Sequence, residues 1–169
     1  MLRPLLLSSA IALALVACGD RTAPESTMTA TETATAAPAE NALMTASTLP
    51  FQAPPFDKIK DSDYLPAFEE GMRQHLADVR KIADSSEPAT FDNTIVALEK
   101  SGRTLDRATT VFFNLNGTDT NDTRRKIDAE YAPKFAAHRD AIMLNPQLFA
   151  RIDTLHKNVA DLGLDAEGQ

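Results

Sequence analysis

Between Phe91 and Leu115 the apolar residues Phe91, Ile95, Leu98, Leu105, Ala108, Phe112 and Leu115 recur at intervals of three, four or seven. An α-helix returns a side chain to the same face every 3.6 residues, so this spacing predicts one continuous helix with an apolar stripe. Asp92 is placed to cap its start, because a short carboxylate accepts from a backbone N–H left unpaired in the first turn. Lys100, Arg103 and Asp106 lie outside the stripe and can stay solvated. Such a helix is stable only when its stripe is covered. The stretch is therefore expected to be the centre on which the other segments pack.

Three further segments carry the same period. Leu65, Phe68, Met72, Leu76, Val79 and Ile82 predict a helix from Tyr64 to Ala83, capped by Asp63, with Pro66 in its first turn. After Asn116-Gly117, a helix exit, Thr120 or Asn121 can cap a helix from Asp122 to Leu144 with the stripe Ile127, Tyr131, Phe135, His138 and Ile142. Pro133 lies inside and should kink or split it. Asn145-Pro146 restarts a helix whose core face is Leu148, Phe149, Ile152, Leu155 and Val159, ending at Gly163. Leu164–Gln169 reads either as the cap and first turn of one more helix or as a frayed tail. No strand pattern appears, so the fold class is all-α, an antiparallel bundle of about four helices. Ahead of it, Leu49–Phe56 is rich in proline and expected to be extended, with Phe51 and Phe56 anchoring it to the helices.

The N-terminal 48 residues differ in kind. Arg3, the apolar run Leu5–Val16 and small residues before Cys18 match an export signal; the run is shorter than the roughly 20 residues that span a bilayer. Leu15-Val16-Ala17-Cys18 resembles the lipobox of bacterial lipoproteins. That resemblance implies removal of residues 1–17, lipidation of Cys18 and a membrane partner through the lipid anchor. Gly19 after the cysteine resembles the arrangement sorted to the outer membrane, which places the chain in the bacterial cell envelope. From Cys18 to Thr48 the chain is dominated by Thr, Ala, Glu, Ser and Pro, and only Met28, Leu43 and Met44 are long apolar side chains. A disordered tether is expected there, followed by a helical domain over 49–169.

Chemistry is sparse. The formal charge is −7 over 169 residues, and no Lys/Arg cluster longer than three residues is present, which excludes nucleic acid as a partner class. Catalytic residues: none are assigned. A zinc hydrolase needs two imidazoles a turn apart, a third ligand and a carboxylate base. His75, His138 and His156 are scattered and fit surface or core-edge positions, so no metal ligand and no cofactor is assigned to this chain. Glu69 and Glu70, adjacent on a helix, point about 100° apart and read as a solvated face, not an acid/base pair. Asn114 and Asn116 fit a helix end better than a peptide contact. With Cys18 lipidated no thiol is free, and no Gly-x-Ser-x-Gly or phosphate loop occurs.

The stretches Leu49–Met72, Phe91–Leu115, Thr120–Asp153 and Leu162–Glu167, in this order and spacing, resemble the N-terminal region of the thimet-oligopeptidase and peptidyl-dipeptidase family of zinc metallopeptidases. The resemblance implies a helical wall of a substrate channel, with the zinc-binding His-Glu-x-x-His far downstream and outside this chain. It also implies zinc and oligopeptide substrate for the full-length enzyme only, and a catalytic domain packed on these helices as partner. It favours the interrupted helix at Leu164–Gln169. The alternative is a complete small helical envelope lipoprotein with a binding or structural role. An uncovered apolar face separates the two.

Overall fold

The helix Asp61–Ala83 (α1) is the hub: the short helix Ala97–Glu99 (α2), Arg103–Thr118 (α3), Asp122–Met143 (α4) and Pro146–Lys157 (α5) all pack against it. The computed structural model describes residues 40–165. Among these residues there is no strand, and the fold is all-α as the periodicity predicts. The expected centre, Phe91–Leu115, is not the hub. α1 takes that place because its buried face is wide: Tyr64, Ala67, Phe68 and Gly71 are added to Val79 and Ile82, so it can meet neighbours on several sides.

The stretch Phe91–Leu115 is also not one helix. Phe91–Val96 is π-helical, α2 adds one turn, and the chain breaks at Ser101-Gly102 before α3 begins. Gly102 adopts φ 70°, a left-handed conformation open to glycine and costly for other residues. A Cβ there would lie 2.7 Å from Cγ of His75, so the break is also a point of close approach to α1. The true cap is Thr90 instead of Asp92. Thr90 Oγ1 accepts from Asn93 N at 3.1 Å, and Asn93 Oδ1 accepts from Thr90 N at 2.8 Å, a reciprocal capping box.

Side-chain pairs fix the directions. Gly71 meets Leu105, and Gln74 accepts from Thr104, while Tyr64 and Phe68 lie against Phe112, so α1 and α3 are antiparallel. Asp61 pairs with Arg124, Glu69 with Tyr131 and His75 with His138, so α4 runs parallel to α1. The order is up, down, up. Two apolar clusters result. The first gathers Tyr64, Phe68, Phe112 and Tyr131, with Phe135 edge-on to Phe68 at 5.0 Å between ring centroids. The second gathers Val79, Ile82, Ile142 and Leu148.

Asn121 and Asn145 cap α4 and α5 as expected, accepting from Arg124 N and from Gln147 N and Leu148 N. Asp63 does not cap α1. The helix starts at Asp61, and the Asp63 carboxylate accepts from Lys60 N at 2.8 Å. Pro66 accordingly lies past the first turn. α3 continues through Asn116-Gly117 to Thr118. Pro133 does not split α4: both Pro133 and Ala129, whose carbonyl loses its helical donor, face solvent. Phe149 is 65% exposed, and the buried residues on that turn of α5 are Leu148 and Arg151. α5 ends at Lys157, ahead of Gly163, and a 3-10 turn Val159–Asp161 follows. From Ala166 the expected further helix lies outside the described residues.

The expected tether ends earlier than Thr48. Leu43 is 1% exposed within the first cluster, and the Arg107 guanidinium donates to the carbonyls of Leu43 (2.9 Å) and Met44 (3.1 Å). Asn41 Nδ2 donates to Asp63 O at 2.8 Å. Leu43 is thus the anchor expected of Phe51 and Phe56, which are fully exposed and half exposed. The arm is not extended throughout either, because Pro50–Gln52 forms a 3-10 turn with Phe51 at φ 57°.

Candidate functional site

α3 and α4 both lean on α1 and scarcely on each other, which leaves a groove of about 750 Å³ between them. One wall is Leu98, Leu105 and Phe113; the other is Phe135, Ile142 and Met143. Arg103 and Asp106 of α3, Glu99 of α2 and Arg139 of α4 bring charges of both signs to it.

On the α1 side the groove is lined by His75, which reaches His138 of α4: His138 Nε2 and His75 Nδ1 are 3.0 Å apart. In sequence His75 falls between Met72 and Leu76, and His138 between Phe135 and Ile142, so the pair sits at the seam of the two apolar clusters. His138 is 9% exposed, and its Nδ1 is buried without a partner. If His138 Nε2–H donates to His75 Nδ1, that orphan is a bare lone pair; the reverse tautomer would bury an unused N–H donor. Burial pushes both imidazoles below the ordinary histidine value; Asp78 opposes this at His75, and His75 reinforces it at His138. The sequence pattern places His138 in the stripe of α4, but no local signal ties it to a residue 63 positions earlier.

The other candidate residues have separate places. Glu69 accepts from Tyr131 O–H at 2.7 Å and from Lys134, which binds α1 to α4, so it is more than a solvated face. The Tyr131 hydrogen bond is the main cause of its lowered pKa. Glu70 turns to Arg73, and then to Gln74, which hold its carboxyl at about 2. The two carboxylates share no partner. Asn116 Nδ2 donates to Asp128 of α4 at 3.1 Å, and Asn114 lends its backbone carbonyl to Thr118. His156 is exposed in the last turn of α5. Cys18 and residues 1–17 lie outside the described residues. Among those described, no helix is long and apolar enough to cross a membrane.

No family model matches the chain. It is, however, 43% identical over 127 residues to a dipeptidyl carboxypeptidase of Salmonella typhimurium LT2, and 42% identical over 127 residues to one of Escherichia coli K12. Each match takes in 75% of this chain. The chain belongs to the peptidyl-dipeptidase family. It spans 19% of the length of these curated relatives, so a peptidyl dipeptidase of their size has about four-fifths of its length beyond the matched part.

The zinc that the resemblance implies does not fit the described residues of this chain. The two imidazoles that meet aim their nitrogens at each other, and the space a metal would need holds their hydrogen bond. Among the described residues no three His, Cys, Asp or Glu gather to hold a metal ion. These residues offer apolar walls, charges and an imidazole pair. No step through a metal is assigned to them.

Proposed function

We propose that this chain is a helical substrate-channel wall of a membrane-anchored zinc oligopeptidase that removes dipeptides from short peptides, and that the catalytic groups lie outside residues 40–165. The observation that carries this reading is the 43% identity to a dipeptidyl carboxypeptidase over 127 residues, a stretch amounting to 19% of that relative. Its uncovered side chains support the same reading. Phe113, Met143, Leu144 and Phe149 are 47–78% exposed on α3, at the end of α4 and on α5, where a further body of protein can cover them. On this reading Cys18 carries the lipid that holds the unit to the periplasmic face of the outer membrane, oligopeptide is bound only by the longer enzyme, and zinc belongs to its catalytic part.

The test is direct. The purified 169-residue chain, supplied with zinc, is expected to release no dipeptide from an oligopeptide, and measurable zinc-dependent release would overturn the division of labour. Anchoring is tested separately by labelled palmitate in the bacterial host. Label is expected on the parent chain and lost in Cys18→Ser; an unlabelled parent chain would remove the anchor from the reading.

A further inference from the structure

We propose that the His75–His138 contact is a proton-operated latch: with at most one imidazole charged it ties α1 to α4, and with both charged it releases the α2–α3 break at Gly102. A contact of 3.0 Å between two ring nitrogens needs one N–H donor and one bare lone pair. A neutral pair supplies both, and so does a pair carrying one extra proton. Two imidazolium rings supply only donors and repel each other. His138 has no room to turn away, being 9% exposed with Nδ1 enclosed. His75 packs under Gly102 on one side, where an added Cβ would lie 2.7 Å from its ring, and lines the groove on the other, so it is the ring that moves. Release turns His75 toward the groove and takes its ring from under Gly102, which leaves the break, where α2 has a single turn and α3 starts anew, without that support.

The surrounding charges do not rescue the doubly charged state. Asp78 on α1 favours protonation of His75, while Glu99, Arg103, Asp106 and Arg139 share the groove from α2, α3 and α4. None of the ion pairs among the described residues involves either histidine. Burial lowers both rings, so the open form binds more protons than the closed one. Closure is then complete above the ordinary histidine value and is lost as pH falls through the lowered values.

Hydrogen exchange at the amides of Ser101 and Asp106, which donate to Leu98 O and Gly102 O on either side of the break, corrected for the intrinsic rate and read on the 169-residue chain, tests the latch. Opening is expected to rise by roughly tenfold per pH unit between about pH 6 and 5, the dependence of one extra proton taken up on opening. In His138→Gln and in His75→Gln, where no second charge can meet the imidazole that remains, the rise should be smaller than in the parent chain; His156→Gln should keep it in full. If His138→Gln fails to fold, His75→Gln decides. A flat profile in the parent chain, or a rise of undiminished size after removal of either partner, would overturn the latch.

Discussion

Arg151 is buried on α5 and spans to the segment before the π-helical turn: Nη1 donates to the carbonyls of Ser85 (3.1 Å) and Glu87 (2.9 Å), and Nη2 to Asn93 Oδ1 (2.8 Å). Arg151→Met keeps the stem and removes the donors. Asn93 Oδ1 retains Thr90 N and the Thr94 hydroxyl, so the loss falls on the two carbonyls. A destabilisation of about 2–3 kcal/mol is expected in urea unfolding. Leu43→Ala, which opens a hole in the first cluster, should cost about 3 kcal/mol in the same measurement. Were residues 40–48 an unattached tether, that substitution would cost nothing. Gly71→Ala sets two effects against each other. Helix propensity favours alanine by about 1 kcal/mol. The added Cβ would lie 2.8 Å from the Leu105 backbone, which a flexible side chain cannot relieve. Overpacking wins, and a net loss of about 1–2 kcal/mol is expected.

The elements were legible in the sequence wherever one stripe met one neighbour. α4 shows this: Ile127, Tyr131, His138 and Ile142 are buried as their spacing predicts. Legibility failed where contact is long-range or a stripe is shared. The seven-residue gap from Leu98 to Leu105 is as compatible with a break as with two helical turns, and only the approach of His75 decides for Gly102. Phe149 is exposed where its spacing predicts burial, and the burial of Arg151 had no local signal because the carbonyls that receive it lie more than 60 residues away. Leu43 and Met44 were visible as apolar residues in a polar stretch, but the Arg107 fork that holds them was not. At this scale Gly102→Ala is expected to lower the urea midpoint through left-handed strain, about 1–2 kcal/mol, plus contact with the His75 ring. The helical circular dichroism of the folded state should be preserved.

Across the described residues as a whole, the three long helices close around Phe68 on one side and leave a groove and several apolar side chains uncovered on the other. Leu144 and Phe149, 78% and 65% exposed, contribute little to folding of the unit. Leu144→Gln with Phe149→Gln should leave stability within about 0.5 kcal/mol while reducing binding of a hydrophobic dye. The fold class was readable from periodicity, whereas the groove was not, since it arises from how α3 and α4 diverge over α1. Membership in a peptidase family adds the expectation that the uncovered side is built to face more protein. The decisive measurement is the activity of the Escherichia coli dipeptidyl carboxypeptidase with its matching stretch replaced by the matching 127 residues of this chain. A folded chimera is expected to release dipeptides with kcat/KM within about tenfold of the parent enzyme. A chimera that folds but releases none would contradict the assignment of this helical unit to the wall of a peptidyl dipeptidase.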